Sequence, residues 1–216
     1  MQPFIMNYWS KSFKQGILLS VIGATILFAG TIIFGNNEFF LMINGDLGKT
    51  ADTFFKYYTN LGDGICWLIW LALFIIYKRK DILFIVFGFV YNTIFTQSFK
   101  YFIIPDTPRP MNAITNHSLI HTVPGVEIHY YSSFPSGHTT TAFIFYLFAC
   151  IIFNNKWLVY FGFIPALMVG YSRVYLAQHF PRDVAGGMVM GIICSVLTVV
   201  TYQWVQKKRA AKQTIA

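Results

Sequence analysis

The segment "SRVYLAQHFPRD", residues 172–183, carries two arginines, a histidine and an aspartate between two apolar runs of the chain. Neither run, residues 157–172 or 184–206, contains Asp, Glu, Lys or Arg. Runs of roughly 20 apolar residues are long enough to cross a lipid bilayer as helices. Charged side chains at the edges of such helices are costly to hold, so we interpret this segment as functional.

The overall composition supports a membrane location. Of the 216 residues, 56% are hydrophobic and only 11% are charged, whereas about 25% of the residues of a soluble domain are charged. We therefore predict an all-α polytopic membrane protein with a single transmembrane domain over residues 1–216. The chemically specific motifs lie within residues 100–183.

Six stretches without Asp, Glu, Lys or Arg predict about six transmembrane helices. They are residues 15–37, 64–77, 82–99, 139–155, 157–172 and 184–206. Some are shorter than the roughly 20 residues that a span needs, because charged or polar residues cap them at the membrane edge. No A-x-A-like cleavage site follows residues 15–35, so this run is expected to remain as an anchor. Cys66, Cys150 and Cys194 lie within these runs and are interpreted as core residues.

The basic residues predict the orientation. If both termini lie on one side of the membrane, that side receives ten of the 16 Lys and Arg residues and one acidic residue, Asp81. The ten are Lys11, Lys14, Lys78, Arg79, Lys80, Lys156, Lys207, Lys208, Arg209 and Lys212. The positive-inside rule assigns this side to the cytoplasm. The net charge of +8 thus reflects topology, and no nucleic-acid partner is expected.

A helix start on the noncytoplasmic face follows the loop of residues 105–133. In "PSGH", Pro135 precedes Ser136, Gly137 and His138, which are predicted to lie in the first turn. N–H groups of a first turn lack intrahelical acceptors and favour an anion. Gly137 permits close approach, Ser136 adds a hydroxyl donor, and His138 can transfer a proton. In isolation this pattern favours an ordinary capped helix with a solvated histidine.

The opening segment has the same arrangement. Pro181 is predicted to start the last helix, with Asp183 in its first turn and His179 just before it. This spacing allows the carboxylate to hold one imidazole nitrogen and to leave the other free to attack. Arg173 ends the preceding helix on the same face, and its planar guanidinium suits a pair of phosphate oxygens. Arg182 is interpreted as a surface or interfacial charge.

A third segment, "KYFIIPDTPRP", residues 100–110, places Lys100 at the end of a predicted span and Arg109 after a proline-rich turn. Three cations, two histidines and a helix start are therefore expected at one membrane face. This combination describes a phosphate pocket with a nucleophile and a proton donor.

The three segments resemble the signature of the type 2 phosphatidic acid phosphatase superfamily: K-x6-R-P, then P-S-G-H, then S-R-x5-H-x3-D. The second motif is matched by residues 135–138, and the third by Ser172, Arg173, His179 and Asp183. In the first motif eight residues, not six, separate Lys100 from Arg109. We expect the turn "IPDTP" to absorb the extra residues, because prolines end the helix there, so that Lys100 still reaches the phosphate.

The resemblance implies a bacterial cytoplasmic (inner) membrane lipid phosphatase whose active site faces the periplasm or exterior. It implies that His179 attacks phosphorus to give a phosphohistidine, that Asp183 orients His179, and that His138 protonates the leaving group and then activates water. The phosphate-binding groups would be Lys100, Arg109, Ser136, Gly137 and Arg173. No metal or other cofactor is expected, because the cationic side chains supply the positive field.

The sequence leaves the lipid substrate open. Undecaprenyl diphosphate, lipid A phosphate, phosphatidylglycerol phosphate and phosphatidic acid present a similar group, and the first two are favoured by the room that compact loops leave. A lipid transporter or flippase without hydrolytic activity is the alternative function, but it has no need of His138, His179 and Asp183 at one face. The same motif family includes soluble vanadium-dependent haloperoxidases, which six apolar spans argue against.

Three further histidines lie in the long loop. His117 and His121 are four residues apart and His129 is nearby. A zinc site there lacks an evident carboxylate or cysteine ligand, so substrate contacts or plain solvation are the preferred interpretations. Asp63, in "NLGDG", is interpreted as a turn and helix-start residue.

Overall fold

The computed structural model describes residues 8–77 and 81–215, and these residues form helices and loops without a strand. The helices are α1 (Lys11–Phe34), α2 (Asn36–Ile43), α3 (Lys49–Tyr58), α4 (Ile65–Tyr77), α5 (Ile82–Ser98), α6 (Pro110–Ala113), α7 (Gly137–Phe153), α8 (Lys156–Tyr175) and α9 (Pro181–Ile215). A 3-10 turn, Thr59–Gly62, joins α3 to α4, and a π-helical turn, Phe99–Ile103, extends α5. The prediction of an all-α protein is confirmed.

The six predicted runs coincide with the main parts of α1, α4, α5, α7, α8 and α9. By length and composition α1, α8, the Ile82–Ile103 helix and Pro181–Ala211 can cross a membrane. A fifth crossing is possible if the pair Lys49–Gly62 and Ile65–Ile76, bent by 53°, counts as one span. Helix α7 is apolar but has only 17 residues. The count of six spans therefore stays a prediction.

Helix α7 lies at the centre of the bundle and contacts α1, α5, α8 and α9. Phe143, Ile144 and Leu147 on this helix are completely buried. Small residues let α9 approach closely, as is common between helices in membranes. A Cβ atom on Gly187 would lie 2.7 Å from the carbonyl oxygen of Ser136, and one on Gly191 would lie 2.8 Å from Cβ of Phe143. The "PSGH" helix start is thereby packed against the start of α9.

The end of the bundle opposite the "PSGH" turn carries basic residues. Lys11 and Lys156 border one surface cavity together with Asn154, which caps the far end of α7. Asp81, which precedes α5, accepts a hydrogen bond of 2.7 Å from Tyr202 of α9. Lys78, Arg79 and Lys80, and the side chain of Lys212, lie outside the described residues. The three cysteines are free thiols, as expected, and Cys150 and Cys194 are completely buried.

Candidate active site

Ser136 is the N-cap of α7. Its hydroxyl oxygen accepts hydrogen bonds from the N–H of Thr139 at 3.4 Å and from the Thr139 hydroxyl at 2.9 Å. Its own N–H donates to the carbonyl oxygen of Asp183 at 3.0 Å. The backbone amides of Gly137 and His138 follow in the first turn, where N–H groups have no intrahelical acceptor. The predicted helix start is confirmed, and a phosphate contact from Ser136 stays a prediction.

The loop between α8 and α9 holds His179 by folding back onto the end of α8. The N–H groups of Gln178 and His179 both donate to the carbonyl oxygen of Arg173, at 2.9 and 3.1 Å. Ala177 makes this reversal possible by adopting a left-handed conformation with φ +54°. Phe180 is completely buried and packs edge-to-face on Phe40 of α2. These contacts give His179 a fixed position with 2% of its surface exposed.

Ser133 links His179 to Asp183. The Ser133 hydroxyl donates to Oδ2 of Asp183 at 2.5 Å and lies 3.4 Å from Nδ1 of His179. The direct separation between Nδ1 and Oδ2 is 3.7 Å, longer than a hydrogen bond. Oδ2 also accepts the N–H of Phe180 at 2.9 Å. Sequence reasoning predicted that the carboxylate faces the imidazole but missed Ser133, because a serine two residues before a motif has no distinguishing pattern.

Burial and nearby cations act on His179. Burial lowers the pKa of His179 well below its ordinary value, and the charges of Arg109, Arg173 and Lys100 lower that pKa further. The imidazole is therefore neutral near neutral pH. Because Nδ1 faces Ser133, Nε2 is the nitrogen free to act as a nucleophile.

Arg109 is held by backbone oxygens from two loops. Its Nε donates to the carbonyl oxygen of Tyr131 at 2.8 Å, and its Nη1 donates to that of Gln178 at 2.9 Å. Only 7% of the residue is exposed. Burial lowers the pKa of Arg109, but a guanidinium remains charged at neutral pH. The nitrogen Nη2 has one long contact, 3.5 Å to the carbonyl oxygen of Ser132, and so retains donor capacity.

Arg173 is positioned by the turn that joins α3 to α4. Its Nη1 donates to the hydroxyl oxygen of Thr59 at 2.8 Å. Its Nε is buried and has no hydrogen-bond partner within the described parts of the chain. The guanidinium is thus tied to the scaffold through Nη1, while its Nε is left without an acceptor among the described residues.

The same turn also contacts His138. A Cβ atom on Gly62 would lie 2.6 Å from the carbonyl oxygen and 2.9 Å from Cβ of His138. Sequence reasoning missed both Thr59 and Gly62, since neither belongs to a charged motif. Gly62, within "NLGDG", was the only residue whose type could have indicated a close contact at this turn. Asp63 accepts the N–H of Gly64 at 2.5 Å just before α4, which confirms its interpretation as a helix-start residue.

The extra residues of the first motif are accommodated differently from the expectation. The turn "IPDTP", rather than the helix, was expected to absorb them. Instead α5 ends in a π-helical turn that contains Lys100, and the chain then reverses through Asp106, which has φ +58°. A π turn takes up an additional residue inside a helix. Lys100 consequently stays within electrostatic range of Arg109 and Arg173.

Of the three loop histidines, His129 lies within electrostatic range of Lys100, Arg109 and Arg173. His117 is exposed. His129 is also largely exposed. The part of its ring that is buried, and the positive charge of Arg109, lower its pKa. His121 binds Oδ1 of Asp52 through Nε2 at 2.9 Å and lies 4.0 Å from Asp46.

The expectation that no carboxylate accompanies these histidines was therefore wrong. Asp46 and Asp52 come from the segment around α3, far from the loop in sequence. In the described ranges they form, with His121, the group whose ligand atoms come within 4.8 Å of one another. Asp52 is already engaged, because its Oδ1 also accepts the Tyr175 hydroxyl at 2.6 Å. The contacts are explained by a hydrogen-bond network that ties α3 to the loop.

The predicted catalytic and phosphate-binding charges converge at one end of the bundle. The side chains of Lys100, Arg109 and Arg173 interact electrostatically with both His138 and His179. Asp183 contributes the one buried carboxylate among the described residues around this cluster. Arg182 lies partly exposed beside it, with Nε 3.5 Å from Oδ1 of Asp183 and its guanidinium over Phe180. Three cations beside two histidines form an arrangement that can bind a phosphoryl group.

Comparison with known proteins gives one family. The family model described as the PAP2 superfamily matches residues 81–209. An undecaprenyl-diphosphatase from Sulfolobus acidocaldarius is 30% identical, over 76% of this chain and 77% of that protein. A lipid A 4'-phosphatase from Porphyromonas gingivalis is 27% identical, over 78% of this chain and 73% of that protein.

Two crystal structures have a similar fold. LpxE from Aquifex aeolicus superposes with a TM-score of 0.65 and 27% identity, over 76% of this chain and 94% of that chain. The transmembrane PAP2 type phosphatidylglycerolphosphate phosphatase from Bacillus subtilis gives a TM-score of 0.61. It covers 91% of this chain and 96% of its own, at 21% identity, and supports the fold alone.

Proposed function

We propose that this chain, which belongs to the PAP2 superfamily and is a membrane lipid phosphatase, works through a phosphohistidine on His179 and without a metal ion. The observation that carries the proposal is the position of His179. Its Nδ1 faces Ser133 and Asp183, and it lies within electrostatic range of three cations. A neutral, oriented imidazole among cations is suited to attack on a phosphorus atom.

In the first step Nε2 of His179 attacks phosphorus in line, and the bond from phosphorus to the leaving oxygen breaks. His138 donates a proton to that oxygen as a general acid. The Nδ1–H of the resulting phosphohistidine donates toward Ser133, which passes the interaction to Asp183. Arg109, Arg173 and Lys100 hold the equatorial oxygens and the charge that grows on them.

In the second step a water molecule attacks phosphorus, and the bond to Nε2 breaks. His138, now deprotonated, accepts the proton of this water. Inorganic phosphate leaves, and both histidines return to their starting states. The free Nε of Arg173 and the first-turn amides of Gly137 and His138 support this assignment, because each offers a donor without a committed acceptor.

We propose that the chain lies in the bacterial cytoplasmic membrane, with both termini in the cytoplasm and the active site on the outer face. Two features support this orientation. The active site lies at the start of α7, whereas Lys11 and Lys156 border a cavity at its far end. Basic residues favour the cytoplasmic side. The test is to fuse the C-terminus to a reporter protein that is active only in the cytoplasm; the fusion should be active.

The substrate is a phosphate ester or diphosphate of a lipid. Undecaprenyl diphosphate, lipid A phosphate, phosphatidylglycerol phosphate and phosphatidic acid are the candidates. The test is phosphate release by the purified protein in detergent, with and without EDTA, from all four lipids. Release should persist in EDTA, and His179→Ala should abolish both release and the phosphoenzyme detected by intact-protein mass spectrometry. Activity that EDTA removes and zinc or magnesium restores would contradict the metal-independent mechanism.

A further inference from the structure

A polar groove opens beside His138, between α5 and the starts of α4 and α7. Its volume is about 240 Å³, and its lining includes His138 and Gln97. Asp63 is the one charged residue in this lining, apart from His138 if it is protonated. Lys100, Arg109 and Arg173 do not contribute to this lining. The groove thus adjoins the phosphate site at Gly137 and His138, but its lining lacks the three cations of that site.

Two residues that line the groove each carry a buried polar atom without a partner among the described residues. Asn92 is 9% exposed, and its Nδ2 donates to the hydroxyl oxygen of Thr141 at 3.1 Å, but its Oδ1 accepts nothing from the described residues. Trp67 is 4% exposed, and its Nε1 donates to nothing there either. Unpaired buried polar atoms are rare and costly. One is an acceptor and the other a donor, which is the complement of a single hydroxyl group.

A second groove continues from the first. It is apolar, has a volume of about 390 Å³ and lies between α4 and α5. Gly64, Trp67 and Phe89 line both grooves. A lipid tail fits such an apolar surface between helices, with its polar group next to His138.

The position of His138 identifies what enters the polar groove. In the proposed reaction His138 gives its proton to the leaving group, so the leaving group lies on this side. A leaving phosphate would bring negative charge beside Asp63, in a lining with no lysine or arginine to balance it. A leaving alcohol adds no such charge, and a second hydroxyl on it can pair with Asn92 and Trp67.

We propose that this groove is a leaving-group subsite that selects phosphate monoesters whose alcohol, of the sugar or glycerol type, carries a free hydroxyl beside the ester. Asn92 and Trp67 bind that hydroxyl and are specificity-determining residues, and the apolar groove takes the tail. The inference rests on the proposed function. It disfavours lipid diphosphates, whose leaving group is itself a phosphate.

The test uses two substrates that differ by one hydroxyl: lysophosphatidic acid and its 2-deoxy analogue with the same acyl chain. The wild-type protein should favour the hydroxylated lipid by about tenfold in kcat/KM, as expected for one paired hydroxyl in a built site. Asn92→Leu and Trp67→Phe should each reduce this ratio toward one. Tyr91→Phe is the matched control: Tyr91 is the neighbour of Asn92 on α5, and its replacement loses the 2.7 Å hydrogen bond to Thr201 of α9 but should keep the ratio.

The outcomes separate the two proposals. Three results would overturn the subsite and leave the phosphatase mechanism intact. They are equal kcat/KM on the two matched substrates, an unchanged ratio in both variants, and faster phosphate release from undecaprenyl diphosphate than from lysophosphatidic acid. Equal rates would mean that Asn92 and Trp67 do not bind the hydroxyl of the leaving group. Release from no lipid at all would refute the proposed function and the subsite with it. Trp67→Phe keeps the test decisive if Asn92→Leu does not fold.

Discussion

The hydroxyl of Ser133 lies between the two residues of the third motif: it donates to Asp183 at 2.5 Å and faces Nδ1 of His179 at 3.4 Å. The carboxylate and the imidazole are 3.7 Å apart, so the serine makes the shorter contacts. The orienting role expected of Asp183 is thus shared with a residue from the loop before α7. That loop and the His179 loop must both be in place for the imidazole to be held.

Ser133→Ala should lower kcat by about tenfold to a hundredfold and change KM little, because the phosphate-binding cations stay in place while the imidazole loses its partner. The acidic limb of the pH profile should also shift, which a purely structural defect would not produce. Ser132→Ala is the matched control, since its contact to Arg109 uses a carbonyl oxygen that alanine retains. An unchanged kcat for Ser133→Ala would remove Ser133 from the mechanism.

Gly62→Ala should displace His138, because the new Cβ would lie 2.6 Å from a backbone oxygen that cannot easily move. We expect kcat to fall by about a hundredfold on substrates with poor leaving groups. Substrates with good leaving groups should lose less, because they depend less on the proton of His138. Gly45→Ala serves as the control, since nothing lies within 4 Å of a Cβ there. Equal losses on both substrate types would contradict displacement of the general acid.

The lowered pKa of His179 sets the pH dependence of activity. Since its pKa lies well below the ordinary value of about 6.5, the nucleophile stays neutral in mildly acidic solution. The acidic limb of kcat/KM that reports this group should therefore lie below pH 6.5. If the acidic limb of kcat/KM lies at or above pH 6.5 and moves when Ser133 is replaced, the pKa of His179 is not lowered as described.

The same pKa predicts a change in stability with pH. Below about pH 6.5 the unfolded chain binds a proton at this position and the folded chain does not, so stability falls as pH falls. Above pH 6.5 both states are neutral and this contribution is constant. Thermal unfolding in detergent between about pH 5 and 8 should show a smaller slope for His179→Gln than for the wild type. His117→Gln, at an exposed position, should leave the slope unchanged.

Lys100→Met should raise KM and lower kcat, each by about tenfold, while the amount of folded protein in the membrane is retained. The reason is that Lys100, despite the altered spacing, lies within electrostatic range of Arg109, Arg173 and Asp183. Lys49→Met provides the comparison, because Lys49 is exposed on α3. Near-native kinetics of Lys100→Met beside an impaired Arg109→Ala would mean that Lys100 only extends to the membrane interface.

The sequence by itself determined the helical membrane class and the two complete motifs. Charge-free runs report the membrane directly, because a charge in hydrocarbon is costly wherever the helix packs. The starts of α7 and α9 were also predictable, since proline and capping residues act within a few positions. The positions of His138, His179 and Asp183 at these helix starts could be predicted for the same reason, because they depend on local spacing.

Only the tertiary structure decided which uncharged residues complete the site. Ser133, Thr59, Gly62 and Asn92 contact residues 46 or more positions away, and none carries a charge that would mark it in the sequence. The π turn at Lys100 could not be predicted either, because a helix end widens or tightens according to what packs on it. A hydroxyl, an amide or an absent side chain becomes functional only where helix packing brings it beside a catalytic group, and that packing is a property of the whole bundle.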